Sequence, residues 1–190
     1  MPRSPNLLRL LADPPGRADR RSIGQANAAA ALVLEHPGSV GQLVRGMWDA
    51  DPVIRMRAAD ALEKASIQNP KLLAPFKSEI LGLLPEAEQQ ELRWHLALMV
   101  ARLPLTPAER LRAAGHLRRY LDDRSSIVKT CALQGLVELA TQQEEQENRG
   151  QQTESLRSEV LDILRISART GTAAMRARSR ILLKRFKVGL

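Results

Sequence analysis

Apolar residues recur along this chain at three- and four-residue intervals, the spacing of one helical face, and no strand-like alternation competes with that pattern. The clearest stretch is Asp51-Pro52-Val53-Ile54-Arg55-Met56-Arg57-Ala58-Ala59-Asp60-Ala61-Leu62. Asp51 can accept from the free N–H groups of a first turn, and Pro52 has no N–H to lose there. Behind them Ile54, Ala58, Ala61, Leu62 and Ala65 share one face. The pattern returns at Leu92-Arg93-Trp94-His95-Leu96-Ala97, at Val128-Lys129-Thr130-Cys131-Ala132-Leu133 and at Met175-Arg176-Ala177-Arg178-Ser179. A degenerate copy lies upstream, with Ile23 in the place of Val53 and 28–32 in the place of 58–62.

Further amphipathic helices are predicted between these, over 39–50, 70–84, 106–121 and 153–168. The second carries Leu72, Leu73, Phe76, Ile80, Leu83 and Leu84 as its stripe. Thr106-Pro107-Ala108-Glu109 has the form of a capping box. Helix breakers fall at His36-Pro37-Gly38, Asn69-Pro70, Pro85, Pro104 and Thr170-Gly171-Thr172.

A helix pair whose second member opens Asp-Pro-x-Val-Arg-x-x-Ala-x-x-Ala-Leu resembles the HEAT repeat, and 51–62 matches that motif closely. The other copies keep mainly the apolar–basic pair followed by Ala or Leu. The resemblance implies an all-α fold, an α-solenoid of about five HEAT-like helix pairs in which stacking builds a continuous core. Approximate repeats are 1–36, 37–68, 69–103, 104–140 and 153–190, forming a single repeat domain over 1–190. A short first repeat, interrupted by Pro14-Pro15-Gly16, suits an N-terminal cap. The stretch 141–152, rich in Gln and Glu and without apolar residues after Thr141, reads as a polar acidic insertion. The family mostly supplies binding scaffolds, so the motif speaks to fold rather than to chemistry.

Composition agrees with helices. Aromatic residues are 3% of the chain, too few for a β-sandwich or barrel, while 44% hydrophobic and 26% charged residues suit a soluble domain. The longest apolar run, 28–34, falls far short of the roughly 20 residues that span a bilayer. No apolar core with a small-residue cleavage site follows Met1, so no secretory leader is expected. Cys131 is the single cysteine, which excludes an intrachain disulfide and points to a reducing, cytoplasmic setting.

Charge sharpens the picture. Of the net +8, most lies in 157–190, where nine basic residues face Glu159 and Asp162. On the last predicted helix Arg176, Arg180, Lys184 and Lys187 form a stripe, with Arg178 and Arg185 alongside. These six are the candidate polyanion-binding residues, although a terminal repeat also needs a polar outer face simply to stay soluble.

Two further sets of residues follow from the repeat. Arg55, Arg93 and Lys129, with Arg176, occupy equivalent positions on successive second helices and form a structural ladder. In HEAT-like repeats this position commonly pairs with the Asp of a neighbouring turn. At about 100° per residue, Met56 and Asp60 point away from Ile54, Ala58 and Ala61. With their equivalents Trp94, Leu98, Thr130 and Gln134 they form a candidate protein-binding groove, since second helices line the concave side in that family. Trp48 is expected to pack between repeats.

Nothing points to catalysis. His36, His95 and His116 fall on separate elements, no His or Cys pair has metal-ligand spacing, and no Gly-rich phosphate loop or nucleophile elbow is present. No cofactor and no metal is expected. The leading expectation is a monomeric, non-catalytic scaffold that binds a protein partner. The alternative is a nucleic-acid binder using the basic last helix and the ladder. That alternative includes a DNA glycosylase of the HEAT-like type, for which Trp48, Asp60, Arg93 and Trp94 would be the parts.

Overall fold

The computed structural model describes residues 6–12, 22–141 and 151–188. Within them 83% of residues are helical and none lies in a strand, so the fold is all-α. No helix among the described residues is long and apolar enough to cross a membrane. The chain falls into two compact units, Met1–Pro104 and Leu105–Leu190, divided where the fourth repeat is expected to begin.

The first unit contains α1 (Leu7–Leu11), α2 (Ala26–Glu35), α3 (Val40–Gly46), α4 (Pro52–Gln68), α5 (Lys77–Glu86) and α6 (Gln90–Met99). Asp51 caps α4 as its sequence suggests, its carboxylate accepting the Val53 N–H at 2.8 Å with Pro52 in the first turn. The helix expected over 70–84 is divided. Pro70–Phe76 winds as a 3₁₀ helix, and α5 begins only at Lys77. Pro75 accounts for this, because it has no N–H to donate and its ring crowds the carbonyl four residues back. The helix expected over 39–50 contracts to α3, behind a 3₁₀ turn at Pro37–Ser39.

Helix α4 is the axis of this unit, packing against α1, α2, α3 and α6. Its small residues make this possible: Ala58, Ala59, Ala61 and Ala65 are all fully buried. The approach of α3 is close enough to require glycine. A Cβ on Gly46 would stand 2.8 Å from the Ala58 Cβ and 2.9 Å from Leu8 Cδ2. Surrounded in this way, α4 has no wholly solvated face. Arg57, Asp60, Glu63 and Ser66 are buried along with its apolar residues.

The second unit contains α7 (Pro107–Tyr120), α8 (Ser126–Thr141), α9 (Gln151–Thr170) and α10 (Ala173–Val188). Thr106 and Glu109 close the expected capping box on α7: the Thr106 N–H donates to Glu109 at 2.8 Å and the Glu109 N–H to the Thr106 hydroxyl at 3.3 Å. Helices α7 and α9 pack on α8, and α10 packs on both α8 and α9. Leu117, Val128, Leu133, Leu136, Val160, Leu164 and Leu182 form its interior. Residues 142–150 of the acidic insertion, and Pro14-Pro15-Gly16, lie outside the described residues.

Candidate functional site

The arginine ladder is a set of fasteners. In the first unit Arg55 folds back over the start of α4. Its Nη1 donates to the carbonyls of Asp49 (2.7 Å) and Ala50 (3.0 Å), and its Nε donates to Gln89 Oε1 at 3.0 Å. Gln89 in turn donates to the Pro52 carbonyl at 2.9 Å. Arg93 repeats the move on α6, its Nε donating to the Ala87 carbonyl at 2.6 Å. Within the second unit Arg176 does the same to the Gly171 carbonyl at 2.9 Å. An arginine one turn into a second helix thus collects carbonyls from the turn that leads into that helix. Backbone oxygens are acceptors in all three cases, where the repeat resemblance leads one to expect an aspartate carboxylate. Lys129 holds the equivalent place on α8, half-buried, with no side-chain hydrogen bond among the described residues.

The groove drawn from the helical wheel is altered. Met56 and Asp60, expected to face outward, are both 7% exposed. With α2 and α6 both packed on α4, positions that point away from α3 meet a neighbouring helix instead of water. Asp60 is occupied as well: Lys64 Nζ donates to its carboxylate and to Asn27 Oδ1, each at 2.7 Å. His95 Nε2 stands 3.9 Å from the other Asp60 oxygen. Burial pushes the imidazole down to about 4, against the opposing pull of Asp60, so it is neutral near pH 7. Its Nδ1 is buried and has no hydrogen-bond partner among the described residues.

The remaining groove candidates are half-buried. Trp94 and Leu98 lie on α6 in the first unit, Trp94 edge-on to His95. Thr130 and Gln134 lie on α8 in the second. The Thr130 hydroxyl donates to the carbonyls of Ser126 and Ile127, and the Gln134 amide donates to Glu138 at 2.5 Å.

An open groove does exist in the first unit, displaced toward the other end of α4. It lies between α2 and α4, encloses about 560 Å³, and is lined by Ala30, Ala31, Leu34 and Ile67 among Asn27, Glu35, Lys64 and Gln68. Ile67 is 61% exposed. The wheel misses this groove because it weighs one turn of α4 and treats the whole helix alike. The readable signal is an isoleucine in the last turn, beyond the reach of the small-residue stripe. Trp48, expected to pack between repeats, is half exposed and borders a smaller cleft of about 280 Å³ with Arg55, Leu83 and Glu86.

In the second unit α10 turns Met175, Ser179 and Leu182 inward and leaves Arg178, Arg180, Lys184 and Arg185 exposed. Arg176 is exposed too but holds Gly171. The Lys187 side chain lies outside the described residues.

Two arginines that fasten the first unit went unnoticed in the sequence pattern, one buried and one half-buried. Arg57, 2% exposed, donates to the carbonyls of Leu11 (2.8 Å) and Ser22 (3.0 Å), tying the end of α1 and the approach to α2 onto α4. It also fills the space at Gly24, whose φ of +49° suits glycine. Arg102 donates to Glu63 Oε1 at 2.7 Å and to the Ser66 hydroxyl at 2.8 Å. No group of three His, Cys, Asp or Glu able to hold a metal occurs among the described residues. No family model matches the chain, and no curated protein matches it.

Proposed function

We propose that this chain is a non-catalytic α-solenoid scaffold of HEAT type that binds a protein partner, with the α2–α4 groove of the first unit as the contact. What supports the repeat reading is the packing of successive second helices, α2 on α4 and α4 on α6 in one unit and α8 on α10 in the other. The observation that carries the binding site is the apolar lining of an open groove. Leu34, Ala31 and Ile67 face it, and Ile67 stands 61% exposed where a solvated helix end needs no isoleucine. A partner helix or loop that buries Ile67 would remove this apolar area from water and place polar atoms against Asn27, Glu35 and Gln68 at the rim.

A photo-crosslinking residue at position 67, with position 127 on α8 as the control, captures the partner directly. The expected result is one protein joined from position 67 and not from 127. Its affinity for the purified chain should fall at least tenfold with Ile67→Asp while helicity is unchanged. Equal binding by an Ile67→Asp, Leu34→Asp double variant would refute the site.

A further inference from the structure

We infer that the outer face of α10 is a second binding surface, distinct from the α2–α4 groove, and that it holds the phosphate backbone of a nucleic-acid duplex. The sixteen residues of α10 contain no carboxylate. Arg178, Arg180, Lys184 and Arg185 are exposed, and none of the four side chains makes a hydrogen bond or ion pair among the described residues. The described acids of α9 are engaged elsewhere. On α9, Glu159 is held by Arg118 at 2.6 Å and Asp162 by Arg165 at 3.0 Å. Arg176 is spent on the Gly171 carbonyl, as Arg55 and Arg93 are on theirs. Arg178, Arg180, Lys184 and Arg185 thus form a cluster of unpaired cations on one helix.

Their arrangement is ordered. Arg180 and Lys184 follow each other one turn apart, and Arg178 and Arg185 form a second row two turns apart. Ile181, 60% exposed, lies between the rows. A polar cap would keep the unit soluble with charges of either sign, and like charges at i and i+4 oppose helix formation. Folding therefore has no use for this pattern, whereas a polyanion does.

The choice among polyanions follows from what accompanies the charge. A membrane-surface helix needs a free apolar face to insert. Here Met175 and Leu182 are buried in the second unit, and Ile181 alone among the described side chains of α10 is a large exposed apolar group. A single strand is gripped by stacking its bases on aromatic rings, and no described side chain of α10 is aromatic. Guanidinium groups favour phosphate for its fork geometry, and duplexes carry the denser row of phosphates. Four cations with no described acid on the same helix suit a row of phosphates.

The test is fluorescence anisotropy of the full chain with a 20-base-pair DNA duplex between 50 and 200 mM salt. Four phosphate contacts predict a log–log slope of about −3.6, and hence a roughly 100-fold loss of affinity over that range. Arg180→Gln with Lys184→Gln should shallow the slope by about 2, and Arg178→Gln with Arg185→Gln should do likewise. Ile67→Asp should leave duplex binding unchanged, which separates this surface from the groove. Absence of binding at 50 mM salt overturns the inference. So do affinity and slope that ignore both double variants while helicity is intact. Binding to phosphatidylserine vesicles or to polyglutamate without binding to the duplex would reassign the face to a membrane or an acidic protein.

Discussion

The first unit and the outer face of α10 use arginine in opposite ways. In the first, Arg57 is sealed inside with two backbone carbonyls, Arg102 clasps Glu63 and Ser66, and Arg55 and Arg93 hold the turns before their helices. In the last helix of the second, Arg178, Arg180 and Arg185 stand in solvent with no partner among the described residues. The residue type is the same, and the supply of acceptors differs. A guanidinium beside unpaired carbonyls or a buried carboxylate becomes a structural fastener, because leaving it or its acceptors unpaired in a dry interior is costly. One that projects from an outermost helix without acids nearby stays available to a partner.

The strongest way to break this contrast is Arg57→Ala. It empties a fully buried site and orphans the Leu11 and Ser22 carbonyls, so the denaturation midpoint should fall by an amount corresponding to about 4 kcal/mol. Arg57→Lys should rescue little of this, because one ammonium does not reproduce the forked geometry. A change below about 1 kcal/mol, within the range of an ordinary surface substitution, would mean that Arg57 is not a fastener.

The buried His95 gives a slightly smaller effect that appears only in acid. Its folded pKa lies below the unfolded value, so the unfolded chain takes up the proton first as pH falls. Stability is therefore complete above about 6.5 and is lost between there and about 4, to a total of roughly 3 kcal/mol. Urea midpoints measured across that window for the wild type and His95→Gln should converge as pH falls. Parallel curves would show that His95 does not titrate with unfolding.

The smallest effect sharpens the other side of the comparison. Arg180→Gln with Lys184→Gln should leave the melting midpoint unchanged or slightly raised, within about 0.5 kcal/mol, because it removes a repulsive i, i+4 pair and no contact. A clear loss of stability would turn these cations into fasteners as well.

Local features were readable in advance and for local reasons. Asp51-Pro52 and Thr106 with Glu109 start helices through groups two or three residues away, and each does so in the fold. Pro75 lies within the apolar stripe of Leu72, Leu73 and Phe76, and there the first turns wind as 3₁₀. The equivalence of Arg55, Arg93 and Arg176 was legible from the repeat. Their acceptors were not, since a backbone carbonyl leaves no mark in a sequence. The wheel went astray at Met56 and Asp60 because it assumes one buried side, and α4 has neighbours on several.

Helix positions, their caps, the repeat and the excess of positive charge at the C-terminal end all follow from residues close together in the chain, through hydrogen bonds and spacing that span a turn or two. Which of those residues are dry was settled by helices arriving from elsewhere. Arg57 reads as a surface arginine until α1 brings Leu11 to it, and Asp60 as an exposed carboxylate until α6 brings His95 near and Lys64 meets it. Ile67 stays open on the groove between α2 and α4. Burial depends on all the surfaces that meet at a point, and period along one helix specifies only one of them.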